Sequence, residues 1–167
     1  MDVSVDAIKA LRELTGSGIM DCKRALQETD GNMDEAEQYL VKKGMASAAK
    51  KASRATSDGL VESYIHSGGR IGAMIELNCE TDFVARTDDF RQLAHDVAMQ
   101  VAAMAPIYVD SSEIPEGEDG NPQETCLMQQ PFIKDPSLSM RELVDQAVGR
   151  LGENVRVGRI TRFSLGE

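Results

Sequence analysis

The chain has 167 residues, the length of one domain or of one core domain with a small appendage, and its 41% hydrophobic and 28% charged residues exclude a disordered tail and a long coiled coil. Eighteen basic residues against 28 acidic ones leave a net charge of −10, which repels phosphate backbones and anionic membrane surfaces and argues against direct nucleic-acid or membrane binding. With no Trp, three Tyr and four Phe beside nine Met, the core must be filled by Ala, Val, Leu, Ile and Met, and a Phe outside it stands out.

The first residues, Met1 to Asp6, carry no basic stretch followed by an apolar run, and the most apolar segment, Val97 to Val109, is broken by Gln100 and Pro106. Neither a signal peptide nor a membrane span is expected. Cys22, Cys79 and Cys126 are odd in number and at least 47 residues apart, which suits free thiols in a reducing cytoplasm and no disulfide framework.

Val5, Ile8, Leu11 and Leu14 recur at i, i+3 and predict a first helix with one apolar stripe, closed by Gly16 and Gly18. Met20, Cys22, Ala25 and Leu26 resume helical spacing until Asp30, Gly31 and Asn32 end the second helix. The third begins near Met33, with Asn32 as cap, Asp34 and Glu35 at its positive end, and Lys42, Lys43 and Gly44 at its expected close. Residues 4–44 therefore read as a compact three-helix module. Between Val41 and Ser57 there are five basic residues (Lys42, Lys43, Lys50, Lys51, Arg54) and no acidic one, in an Ala-rich background. This is either a solvated helical linker or a basic surface for an acidic partner.

After Asp58 and Gly59 the period becomes two. Leu60 to His66, a Gly68–Gly69 turn, and Ile71, Ala73, Ile75 and Leu77 alternating with Met74, Glu76 and Asn78 predict a β-hairpin. Phe90, Leu93, Ala94, Val97, Ala98, Val101, Ala102 and Ala105 predict a long helix packed on it and stopped by Pro106. Asp110 to Glu124, with six acidic residues, two prolines and two glycines, reads as a loop or disordered excursion. A helix from Ser139, with Glu142 as capping-box partner, runs to Leu151 and Gly152. Val155 to Phe163 is a last strand whose alternation slips at Gly158, as at a bulge.

Catalytic chemistry finds little support. His66 and His95 are the only histidines and lie in no recognisable catalytic pattern, the cysteines have no metal-ligand spacing, and Gly68–Gly69 lacks the context of a phosphate loop. The unusual segment is Asn78 to Arg86, which gathers carboxylates and a large apolar ring at the junction of hairpin and helix. Two readings stay open: Thr81 or Asp82 caps a short turn with Phe83 folded into the core, or the side chains are aimed outward from rigid supports.

Four stretches carry a resemblance to the elongation factor Ts family: Leu14 to Leu26, Gly72 to Val84 with Asn78-Cys79-Glu80-Thr81-Asp82-Phe83-Val84, Gln130-Pro131-Phe132, and Gly152-Glu153-Asn154-Val155 with the strand after it. The resemblance implies an α+β fold: a three-helix ubiquitin-associated-like domain over residues 1–45, a basic helical linker over 46–58, and a core of antiparallel sheet backed by helices over 59–167 with the acidic loop at 110–124. It further implies a non-enzymatic guanine-nucleotide exchange factor for elongation factor Tu, with no cofactor, catalytic residue or metal ligand of its own. Thr81, Asp82, Phe83 and Val84 would displace Mg²⁺ from the partner's nucleotide site, and Arg12, Ile19, Met20 and Lys23 would contact its G domain. A bacterial cytoplasm, or an organellar matrix or stroma, is the expected location. Longer family members have a second core subdomain, so a homodimer is expected to replace it here. The other reading of a ubiquitin-associated-like module is a peptide-binding adaptor without exchange activity, for which the Asp82-Phe83 pair has no use.

Overall fold

The computed structural model describes residues 3–167, so the first two residues of the expected N-terminal domain lie outside it. Helix α1 (Val5–Thr15) starts at Ser4, whose side chain accepts the Ala7 N–H at 3.1 Å, and stops at Gly16 in the left-handed region. Helix α2 spans Ile19–Glu28, and α3 (Met33–Lys51) starts where the Asn32 side chain accepts the N–H groups of Asp34 and Glu35. Leu11, Cys22, Ala25, Leu26, Ala36 and Leu40 close a small apolar cluster between them. The predicted stripe on α1 is only partly used, because Val5 and Leu14 are exposed. A strict i, i+3 recurrence falls about 60° short of a full turn at each step, so residues nine apart end on opposite sides of the helix. Only Leu11, with Ile8 and Ala7 beside it, faces the cluster.

Helix α3 does not close at Gly44, and the segment after it is helical only to Lys51; residues 52–57 form a turn and an extended connection. The reason lies in α7 (Met140–Leu151), which crosses α3 so closely that a Cβ built on Gly149 would stand 2.7 Å from the Gly44 Cα. A glycine that costs helix propensity is kept because it lets two backbones meet. Beyond the crossing, Ala48 enters a second and larger cluster, so one helix carries residues of both.

That larger cluster lies between helices and a sheet. Strands β1 (Asp58–Ile65), β2 (Ile71–Cys79) and β5 (Val155–Ser164) form an antiparallel sheet in the order β1-β2-β5. The expected hairpin turn is present, with Gly68 and Gly69 at positive φ and His66 N–H donating to the Ile71 carbonyl at 2.8 Å. Ala73, Ile75, Leu77 and Cys79 point inward, onto α5 (Asp88–Met104) and its Phe90, Leu93, Ala94, Val97 and Val101. Ile75 pairs with Ile160 and Leu77 with Val157, which leaves Gly158 and Arg159 opposite Glu76 alone, the bulge that the slipped alternation implied. The capping box of Ser139 and Glu142 opens α7, and Gly152 at φ 77° ends it.

The acidic segment is not a disordered excursion. Ser111–Glu113 is a 3-10 turn, Pro122–Thr125 a short helix α6, and Tyr108 bridges Cys126 in parallel. Its return is pinned by two fully buried amides: Gln100 Nε2 donates to Gln130 Oε1 at 3.2 Å and to the Pro131 carbonyl at 3.1 Å, and Gln130 Nε2 donates to the Glu124 carbonyl at 2.7 Å. A two-strand ribbon, β3 (Pro131–Phe132) with β4 (Asp135–Ser139), then leads into α7. Composition hides this anchoring, because it depends on two neutral side chains thirty residues apart. Among the described residues no helix is long and apolar enough to cross a membrane.

The helix crossing makes an asymmetric prediction. A methyl added at Gly149 meets Gly44 backbone at 2.7 Å, whereas one added at Gly44 has its first neighbour, the Gln146 Cα, at 3.7 Å. Gly149→Ala should lose about 1–3 kcal/mol in urea unfolding, and Gly44→Ala should lose nothing or gain up to about 1 kcal/mol of helix propensity. Equal midpoints for the two variants would show that the helices are not in backbone contact.

Candidate partner-binding site

Strand β2 ends at Cys79, and helix α5 begins at Asp88 with Thr87 as its cap. Between them lies α4 (Asp82–Ala85), a single turn whose Ala85 is buried and whose Val84 packs against the main cluster. Thr81 sits at the cap position of α4, but its hydroxyl makes no capping bond. It donates instead to Glu153 Oε1 at 2.6 Å. With Ala85 and Val84 turned inward, the geometry of a helical turn sends Phe83 the other way, and the ring is 79% exposed. Phe83 therefore does not fold back into the core. Asp82 is half exposed and ion-paired with Arg86 at 2.7 Å, an i, i+4 contact of small energetic weight.

The turn is held from behind by two loops. Glu153 Oε2 accepts the N–H groups of Glu80 at 3.1 Å and Thr81 at 3.0 Å, while Glu80 Oε1 accepts the Asn154 N–H at 2.7 Å and faces Arg54 at 3.4 Å. The buried Asn154 amide donates to the carbonyl of Arg54 at 2.8 Å, tying in the connection after α3. The Asn154 N–H and then the Arg54 guanidinium hold the Glu80 carboxyl below its usual range. Burial, and next the Glu153 carboxylate, push the Cys79 thiol up to about 11, so it stays protonated and donates to the Thr81 carbonyl. Sequence reasoning noted Gly152-Glu153-Asn154-Val155 but gave it no role. Its only signal was a Glu-Asn pair between a helix-ending glycine and a strand.

The second group of expected contact residues lies on α1 and α2 of the three-helix module. Ile19 and Met20 are the first two residues of α2, Lys23 lies one turn on, Arg12 projects from α1, and all four are exposed. Cys22, Ala25 and Leu26 supply the buried face of α2, and Met20 is 68% exposed. Of the basic residues in the linker region, Lys43 pairs with Asp21 at 2.5 Å, Lys51 bonds Ser47, and Arg54 faces Glu80. Lys42 and Lys50 point to solvent. Among the described residues no three His, Cys, Asp or Glu side chains gather as a metal site.

The sequence model of the family described as Elongation factor TS matches residues 22–118, more than half of the chain. The chain is 45% identical to Elongation factor Ts of Heliobacterium modesticaldum, with 99% of this chain and 91% of that protein aligned. The corresponding values are 46%, 96% and 94% for Elongation factor Ts of Moorella thermoacetica, and 47%, 99% and 75% for that of Cyanothece sp.. The chain belongs to the elongation factor Ts family. It is thus a factor of translation elongation and protein biosynthesis, with the α+β architecture described above. The alignments extend over 190 to 197 positions against 167 residues, so these relatives of the elongation factor Ts family carry residues that have no counterpart here.

The Glu80 network has a pH signature. Because its carboxyl titrates below the ordinary glutamate value of 4.5 in the folded state, its contribution to stability is complete above that value and is lost as the pH falls through the lowered one. Glu80→Gln should flatten the fall of melting temperature between about pH 5 and about pH 3 relative to the unaltered protein. Superimposable acid limbs would rule out the lowered carboxyl.

Proposed function

We propose that this protein is a non-enzymatic guanine-nucleotide exchange factor that binds elongation factor Tu in its GDP state and promotes GDP release by disturbing the Mg²⁺ and phosphate site. Thr81, Asp82, Phe83 and Val84 form the wedge, and Arg12, Ile19, Met20 and Lys23 form a second contact with the G domain. The observation that carries this reading is the exposed Phe83 ring on a one-turn helix whose Val84 and Ala85 face the core. Phe83 and Phe163 are the two of the four Phe that stand in water, and Phe83 does so on a turn beside the buried Ala85, where a docking partner would gain the burial of the whole ring. An adaptor that binds peptides through its three-helix module has no use for such a ring.

The mechanism is thermodynamic linkage. A protein that binds the nucleotide-free partner more tightly than the nucleotide-bound one weakens nucleotide binding by the same factor. Burying one Phe ring is worth about 1.5–3 kcal/mol, or roughly ten- to a hundred-fold in affinity. The rest must come from the metal. Mg²⁺ depends on near-ideal octahedral geometry, so a small displacement of its ligands removes its hold on the phosphates. No bond is made or broken by the factor, which acts in a reducing compartment such as the bacterial cytoplasm.

Phe83→Ala should slow GDP release by an amount equivalent to ~2–4 kcal/mol while leaving stability within about 0.5 kcal/mol. Met20→Asp should weaken complex formation with unchanged circular dichroism of the full chain. Stopped-flow release of a fluorescent GDP from elongation factor Tu reads both. Wild-type release by both folded variants would remove the exchange reading.

We propose self-association through the sheet. Its inner face is covered by α5, but Val61, Ile65, Met74, Phe163 and the adjoining Leu165 are exposed on the outer face around a shallow groove of about 350 Å³. Strands β1 and β5 are both edges, and a symmetric pairing of two copies through this face is the commonest way to cover such a surface. Light scattering at micromolar concentration should give twice the 18.2 kDa of the chain, and Phe163→Ser should return it to one chain. A mass of one chain at every concentration and salt overturns the dimer.

A further inference from the structure

We infer that Glu153 is a positioning residue for the Phe83 wedge, acting through Thr81 and never touching the partner's nucleotide site. The inference rests on the exchange reading above and names the residue that aims its wedge. Only Glu80 and Thr81 separate the end of β2 from α4, and α4 has four residues. One helical turn cannot hold its own direction, since nucleating a helix costs more than its first hydrogen bond returns. The direction of Phe83 is therefore set by the inward packing of Val84 and Ala85 on one side of the turn and by whatever fixes residues 80 and 81 on the other. Both of their N–H groups, and the Thr81 hydroxyl, go to the single carboxylate of Glu153.

The supporting loop is itself fixed at two points. Gly152, at φ 77°, turns the chain out of α7 one residue earlier, and the Asn154 N–H returns a bond to Glu80 Oε1 one residue later. Two glutamates thus each accept backbone N–H groups of the other's loop, a reciprocal clasp between segments 73 residues apart. Hydrogen bonds to an ionised carboxylate are about twice as strong as neutral ones, and three on one group leave Thr81 little freedom. Glu153 is half-buried beneath the turn, while Phe83 projects from it.

Substitutions at Glu153 separate aim from charge and from plain stability. A glutamine keeps the reach: its oxygen can accept both N–H groups, and its amide can donate to the Thr81 hydroxyl. An alanine loses all three bonds. Glu153→Ala should slow release of fluorescent GDP from elongation factor Tu by about ten-fold per folded molecule, and Glu153→Gln should restore most of the rate. In a Phe83→Ala background, Glu153→Ala should add much less than its own ten-fold loss, because the ring, the largest group the turn presents, is no longer there to aim. A role in stability alone would lower the melting temperature, leave the rate per folded molecule at the wild-type value and overturn the inference. Losses that multiply in the double variant would overturn it too. If Glu153→Ala does not fold, Glu153→Asp, which keeps the charge and draws the carboxylate back by one methylene, carries the same comparison. Wild-type release by Phe83→Ala itself would take down the wedge reading and this inference together, whereas a slow Phe83→Ala beside a fast Glu153→Ala overturns only the positioning role.

Discussion

The contact between Gly44 and Gly149 is the constraint on which the rest of the molecule depends. Two helices reach backbone contact there because Gly149 carries no Cβ, and α3 can then leave one apolar cluster and enter another without a break. A helix of 19 residues is about 28 Å long and stiff. The three-helix module and the core that carries the Phe83 turn are therefore joined by a stiff helix and not by a flexible tether.

The second constraint is local and electrostatic. The loop before α4 has backbone N–H groups that neither the sheet nor the helix can satisfy and takes them to the Glu153 carboxylate, while its own Glu80 carboxylate accepts the Asn154 N–H in return. Arg54 and the Asn154 amide complete the network, so no buried side-chain polar atom among the described residues is left without a partner. Such a network is costly when half made and stiff when complete. It is also what allows a large apolar ring to stand in water on a single helical turn. A local rule broken in this way, with its polar neighbours satisfied, marks a position where a sequence departs from what its own fold requires.

Charge and composition act at a different level. A net charge of −10 sets the classes of surface the protein avoids, yet it says nothing about where the fold is anchored. The acidic connection is held by a neutral pair, Gln100 with Gln130, and by ion pairs and hydrogen bonds at its rim such as Asp110 with Arg141 and Tyr108 with Glu118. Buried amides of this kind cost nothing in net charge and leave no compositional trace, which is why an acidic, Pro- and Gly-containing stretch reads as disordered when it is not.

The hairpin, α5, the capping box of Ser139 with Glu142 and the bulge at Gly158 were all legible in the amino-acid sequence, because alternation, 3.6-residue periodicity and caps are properties of neighbouring residues. So was the unusual character of the Asn78 to Arg86 segment. Tertiary structure alone decided the other features. Whether Gly44 ends a helix depends on a second glycine 105 positions away. Whether Val5 and Leu14 are buried depends on the width of a cluster that three short helices can enclose. Whether Phe83 faces the core or the solvent depends on Val84 and Ala85 claiming the inward side, and on Glu153 holding the turn from a loop far along the chain. Each is a contact between distant segments, and local pattern carries no information about which distant groups topology will bring together.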